Sequence, residues 1–169
     1  MTAEYLPRRA VSADLDAILR IERGPGYGEY VGRSDRSEHE RMLDSPMFNY
    51  FVGADSHGEI AAFAILGAID DPHGNVYLKR VAAARAGEGI GSAFLAALID
   101  WVFSQTRAHR FHLDCFVHNT RAQAAYRKLG FSRDGMLRQA YLAPDGRRID
   151  LALMALLRPE WEAARQPRS

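Results

Sequence analysis

The sequence predicts a mixed α/β fold, with one sheet of parallel and antiparallel strands covered by helices. Three observations lead there. Strand and helix signals alternate along the chain, two early strands share a tight turn, and a strand–helix–strand unit fills residues 76–117. Strands joined by a short turn lie antiparallel. Strands joined through a helix lie parallel, because the crossover returns the chain to the same end of the sheet. The 169 residues, 47% hydrophobic and 25% charged, suit one domain that buries its own core without disulfide or metal. The expectation is a single domain over residues 1–162, then a polar tail, 163–169, that frays.

Residues 5–9 read as a first strand. Ser12 stands as an N-cap before Ala13-Asp14-Leu15-Asp16, and Leu15, Ile18, Leu19 and Ile21 form an apolar helical face. Gly24-Pro25-Gly26-Tyr27-Gly28 forbids continuation of the helix, and a short polar helix follows over 37–43. Residues 50–54 and 59–66 read as a hairpin turned by Ser56-His57-Gly58. A strand at 76–81 leads to a helix over 89–105 with Ile90, Phe94, Leu98, Trp101 and Val102 at helical spacing. Residues 109–117 alternate, with Phe111, Leu113, Cys115 and Val117 on one face and His112, Asp114 and Phe116 on the other. Asn119 caps a short helix that ends at Gly130. Residues 131–142 and 148–157 form a last hairpin around Pro144-Asp145-Gly146. The expected order is β-α-α-β-β-β-α-β-α-β-β.

Composition bounds the function, although net charge says nothing about a local basic patch. With 22 basic and 21 acidic residues, the net charge of +1 gives no overall field for nucleic acid or a membrane surface. The single cysteine, Cys115, permits no intrachain disulfide and fits a reducing, cytoplasmic setting. The first residues lack the basic and apolar regions of a secretory signal, and no apolar run approaches the ~20 residues of a membrane span.

Two segments carry chemistry. The first is Ala86-Gly87-Glu88-Gly89-Ile90-Gly91-Ser92, set between a strand and a helix. Glycines let a ligand approach the backbone, and the first amides of a helix have no partner within it. With the helix dipole they make a cradle for pyrophosphate, while Ile90 can lock the helix into the core. No Gly-Lys pair follows Gly87, which excludes a P-loop, and Phe94 stands where the dinucleotide fingerprint needs its third glycine. A tight turn without ligand is the competing reading. In the second segment, 119–131, Ala122, Ala125, Tyr126 and Leu129 form one face. The alanines keep it shallow enough for a ligand or another part of the chain to lie against it. Tyr126 is either a core tyrosine or a phenol presented to that ligand, and Asn119 is either a plain cap or a contact.

Gly89-Ile90-Gly91, followed by Asn119-x-x-Ala122-x-x-x-Tyr126-x-Lys128-x-Gly130-Phe131, resembles the pattern of the GNAT acetyltransferases. The stretch from Gly135-Met136-Leu137 through Asp145-Gly146-Arg147 to Arg158-Pro159-Glu160-Trp161 is similar to the branch that includes ribosomal-protein N-terminal acetyltransferases. The resemblance implies a GNAT-like acyl-CoA N-acyltransferase fold and acetyl-CoA as cosubstrate, without metal. It implies an amine acceptor, either a protein N-terminus or a small amine, attacking the thioester directly, in a monomer or homodimer. By the same resemblance, the strand end at Val81 presents backbone groups to the pantetheine. Amides of Gly87, Glu88, Gly89, Ile90, Gly91 and Ser92 hold the pyrophosphate. The strands near Val81 and Cys115 splay apart to admit the cofactor. Asn119 and Ala122 flank the pantetheine arm, and Tyr126 protonates the leaving thiolate. One position departs from the family: Ala86 stands where Gln or Arg is usual, so either Arg85 swings in or the amides suffice.

Glu22, Glu29, His112 and Asp114 are candidates for a general base, beside a water relay. His112, Asp114 and His118 share strand parity, but residues two apart on a strand lie ~6–7 Å apart and do not converge as metal ligands. Cys115 reads as a small hydrophobe. The loop 24–32, with Tyr27, Glu29 and Tyr30, is either a lid over the acceptor or a plain surface loop. Two further functions compete: a catalytically silent acyl-CoA-binding module, and a nucleotide binder that uses the glycine turn differently.

Overall fold

The strand Ile60–Gly67 is buried along almost its whole length, and this sets the layering. A strand with apolar residues on both faces needs cover on both faces. In the computed structural model, which describes residues 5–28 and 33–166, helices supply it from two sides. The strands are β1 (Pro7–Arg9), β2 (Phe48–Ala54), β3 (Ile60–Gly67), β4 (Asn75–Ala83), β5 (Arg110–Phe116), β6 (Ser132–Leu142) and β7 (Arg148–Leu157). The helices are α1 (Leu15–Glu22), α2 (Arg36–Leu43), α3 (Ile90–Gln105), α4 (Thr120–Lys128) and α5 (Arg158–Arg165).

The seven strands form one sheet in the order β1-β2-β3-β4-β5-β7-β6. β4 and β5 are parallel, and the other neighbours are antiparallel. Leu15, Ile18 and Ile21 of α1 pack with Met42 on Tyr50, Val52, Phe63 and Ile65 on one side of the sheet. Phe94, Leu98 and Val102 of α3 pack on Phe51, Ala62, Ala64, Phe111 and Leu113 on the other. Neighbours in sequence along β2 thus serve opposite layers, as the period of two requires.

The element order is the expected one, with a further helix at the end. α5 includes Ala163, Ala164 and Arg165, so the first residues expected to fray are helical, and 167–169 lie outside the described residues. Pro159 lies in the first turn of α5, where a missing N–H costs nothing, and the Glu160 carboxylate accepts from the Leu157 amide at 2.9 Å. Ser12 does not cap α1. It opens a 3₁₀ turn, Ser12–Asp14, and Asp14 is the N-cap residue of α1 without a side-chain cap bond; its carboxylate closes the turn instead, accepting from the Val11 amide at 2.8 Å and from Arg8 Nη1 and Nη2 at 2.7 and 2.8 Å.

Candidate functional site

β4 and β5 pair through Asn75–Tyr77 against Arg110–His112, and beyond that no pairing joins them. β4 follows β3 as far as Ala83, while β5 follows β7 as far as Phe116. The two strands therefore part, and a cleft of about 860 Å³ opens between them. The splay expected near Val81 and Cys115 is present, and both residues line it.

The Ala84 amide donates to Ala61 of β3 at 2.7 Å, so the amides of Val81 and Ala83 point the other way, into the cleft. The Tyr27 hydroxyl accepts from the Ala83 amide at 3.0 Å. The Val81 amide is left facing the cleft. Register shifts by one between Ile65↔Arg80 and Leu66↔Leu78, which makes Lys79 a bulge in the wall of the cleft.

The glycine turn closes one end. Gly87 and Gly89 have φ of +87° and +80°, a region that side chains with a Cβ rarely adopt. Gly89 is the N-cap of α3, and the Ala93 amide makes the first return bond, to Gly89, at 2.9 Å. The amides of Ile90, Gly91 and Ser92 precede that bond and have no acceptor within the helix. Ile90 is 3% exposed and anchors the turn in the core, as expected. The Glu88 side chain turns to Arg85 at 2.8 Å, so Arg85 is engaged on the surface. Gly87, Gly89, Gly91 and Ser92 line the cleft, and the expected contacts Glu88 and Ile90 are not among its lining residues.

The opposite wall is α4. The Asn119 oxygen Oδ1 accepts from the Ala122 amide at 3.1 Å, so the cap reading holds, and among the described residues Nδ2 makes no hydrogen bond. Gln123, 4% exposed, donates to the Val117 carbonyl at 2.8 Å and fixes the helix to the strand end. Asn119, Ala122 and Tyr126 all line the cleft. The Tyr126 ring packs edge-on against Phe131 at 6.0 Å, and its hydroxyl makes no hydrogen bond among the described residues. Burial holds its pKa above the ordinary phenol value, with Cys115, Asp114 and Tyr27 adding to the rise. Burial also pushes the Cys115 thiol up to about 11, which opposes a nucleophilic thiolate there.

The candidate bases separate. Burial alone would raise the pKa of Glu22, which is 0% exposed, but His39, Arg80 and the Ser34 amide outweigh it and hold the carboxylate ionised. His39 Nε2 lies 3.2 Å from Glu22, its Nδ1 lies 2.8 Å from the Tyr50 hydroxyl, and Arg80 also binds Glu22. Glu22 is thus enclosed in a structural network. Burial lowers the pKa of His112, and its Nδ1 is buried without a partner. Asp114 lines the cleft and accepts from the Tyr77 hydroxyl at 2.9 Å, and Tyr77 in turn stacks on His112. Glu29 and Tyr30 lie outside the described residues. Among those described, no three His, Cys, Asp or Glu side chains come together as a metal site, and no helix is long and apolar enough to cross a membrane.

The family model of the acetyltransferase (GNAT) family matches residues 15–131. The chain belongs to the GNAT acetyltransferases. It is 35% identical over 104 residues to the N-alpha-acetyltransferase RimI of Mycobacterium tuberculosis (strain ATCC 25618 / H37Rv), a match spanning 60% of this chain and 63% of that relative. It superposes on the spermidine N-acetyltransferase of Vibrio cholerae in complex with CoA and spermine with a TM-score of 0.82, at 20% identity, over 95% of this chain and 99% of that one. A second solved structure, a putative acetyltransferase, gives 0.78 at 23% identity over 93% and 84%. At these identities the structures report a shared GNAT fold.

Sequence reasoning missed several residues of this GNAT cleft. Tyr27 was suspected as part of a lid, but its bond to Ala83 spans 56 positions and has no local signature. Arg121 lines the cleft with no sequence signal, because a cation on a helix reads as surface, and Tyr77, which holds the cleft residue Asp114, reads as core.

Proposed function

We propose that this protein transfers the acetyl group of acetyl-CoA to a primary amine, by direct attack of the amine on the thioester. One observation carries the proposal. The splay of β4 from β5 gathers a free strand amide, a glycine turn with unpaired amides, Asn119 and an unbonded Tyr126 hydroxyl around one cleft. The residues suit the donor: Val81 offers a strand amide to an extended arm, and the α3 amides suit a diphosphate. A thioester supplies an activated acyl group, so neither metal nor enzyme nucleophile is needed.

The roles follow from position. Asn119 Nδ2 and the shallow Ala122 face the arm. Tyr126, held protonated by burial, donates its proton to the departing thiolate. Asp114 is the one candidate base among the described residues that lines the cleft, so it accepts the proton of the incoming ammonium, directly or through one water. The β5 face that carries Asp114 also carries Phe116, whose ring meets Tyr141 of β6 at 4.9 Å. That aromatic pair suits an acceptor with an apolar group near its amine, as in a protein N-terminus or an amino-acid-like amine.

Thiol release from acetyl-CoA, measured over a panel of N-terminal peptides, amino acids and polyamines, tests this. Turnover with at least one primary amine is expected. Tight acetyl-CoA binding with no thiol release across the panel would instead make the protein a silent acyl-CoA-binding module. Stronger protection by ATP than by CoA would make it a nucleotide binder.

A further inference from the structure

The glycine turn offers a diphosphate little net positive charge. Ala86 has no donor, and Arg85, although it lines the cleft, is paired with Glu88 at 2.8 Å, so the two side chains sum to zero charge. Yet the turn is not far from a cation. A Cβ built on Gly87 would come within 3.2 Å of Arg121 Nη2. Arg121 belongs to the first turn of α4, on the opposite wall, and its guanidinium reaches across the mouth of the cleft to the turn. Among the described residues it forms no ion pair and no side-chain hydrogen bond. The φ of +87° is what requires glycine at position 87, and the contact shows how close the guanidinium lies to the turn.

We propose that Arg121 is the diphosphate-binding cation of this protein, supplied from α4 in place of the residue that Ala86 does not provide. The proposal rests on the acetyl-CoA reading above. A guanidinium presents paired N–H donors that match two phosphate oxygens, and the amides of Ile90, Gly91 and Ser92 approach the same group from the helix end. Arg121 thereby joins the two walls through the ligand, since α4 would hold the anion that α3 cradles.

The test is equilibrium binding of CoA and 3′-dephospho-CoA to wild type, Arg121→Ala and Arg121→Lys, with the melting temperature of each ligand-free protein as a check on folding. Arg121 is exposed, so the ligand-free proteins should melt together. Arg121→Ala should weaken both ligands about tenfold or more, by similar factors, and flatten the salt dependence of binding. Arg121→Lys should recover part of the loss. Unchanged affinity in Arg121→Ala overturns the proposal and leaves the acetyl-CoA reading standing. A loss confined to CoA, with dephospho-CoA unaffected, assigns Arg121 to the 3′-phosphate and also overturns it. Wild type that binds neither ligand removes both this proposal and the reading beneath it.

Discussion

Replacing Tyr126 by phenylalanine removes one oxygen that makes no hydrogen bond among the described residues, while the ring keeps its contact with Phe131. The stability cost should therefore stay within about 1 kcal/mol, the net worth of an ordinary hydrogen bond. The kinetic cost should be far larger. A general acid typically contributes ~100-fold to 10,000-fold, or about 2.7–5.5 kcal/mol of barrier. The pH dependence has a definite sign. Burial holds the Tyr126 pKa above its ordinary value of 10, so the proton is in place throughout the neutral range. An ordinary cysteine thiol has a pKa of ~8.5, so an alkyl thiolate departs more readily without a proton as pH rises above that range. The deficit of Tyr126→Phe should then be greatest below about pH 8 and narrow as pH rises. Single-turnover acetyl transfer across this range, alongside acetyl-CoA affinity, is the assay. An unchanged single-turnover rate would refute the general-acid role. A fall in affinity that matches the fall in rate would make the hydroxyl a cofactor-positioning group instead.

Glu22→Ala should cost about 3–5 kcal/mol in urea unfolding, because it strands Arg80 and His39, whose side chains are 10% and 0% exposed; a loss under about 1 kcal/mol would dissolve the network argument. Gly91→Val should harm acetyl-CoA binding more than folding. A Cβ there meets Ala83 at an ordinary 3.6 Å, while the branched side chain narrows the phosphate path, so about a tenfold loss of affinity with a small melting shift is expected. Equal losses would favour a purely structural turn. Asp14→Asn should lower stability at pH 7 by about 1 kcal/mol, discounted because the Arg8 partner is 52% exposed. The Arg8 hydrogen bonds hold the folded pKa of Asp14 below 3.8, so this stabilisation is present above that value and is lost as pH falls through the folded pKa. The gap between variant and wild type should close in acid, and a gap constant with pH would assign the effect to something other than charge.

The alternation along β5 and the turn at Gly89 made the centre of the fold legible, because period two and glycine position are local properties of the chain. Tyr126 and Asn119 were legible for the same reason: a helix of nine residues fixes which side chains share a face. What stayed hidden depends on partners distant in sequence. α5 has no buried apolar face of its own to announce it, yet Pro159 in its first turn and the Glu160 carboxylate on the Leu157 amide open a helix there. The Arg158 guanidinium then donates to Phe103, Thr106 and Ala108, at 2.7, 3.1 and 2.8 Å, capping the end of α3 from about 50 positions away. Glu22 looked available for catalysis in a loop-flanking helix end. Its burial depends on His39, Arg80 and Ser34, which no short window contains.

The parting of β4 from β5 leaves two plates, one of four strands and one of three, seamed along a short parallel contact. Few backbone pairings cross that seam, so what holds the two plates together beside the cleft is side-chain packing more than a hydrogen-bond ladder. The parting also gives the protein an interior strand border. At the rim of a sheet, an unpaired border invites another chain to add itself. Between β5 and the ends of α3 and α4, the border of β4 is open to a thin extended molecule and screened from a neighbouring sheet.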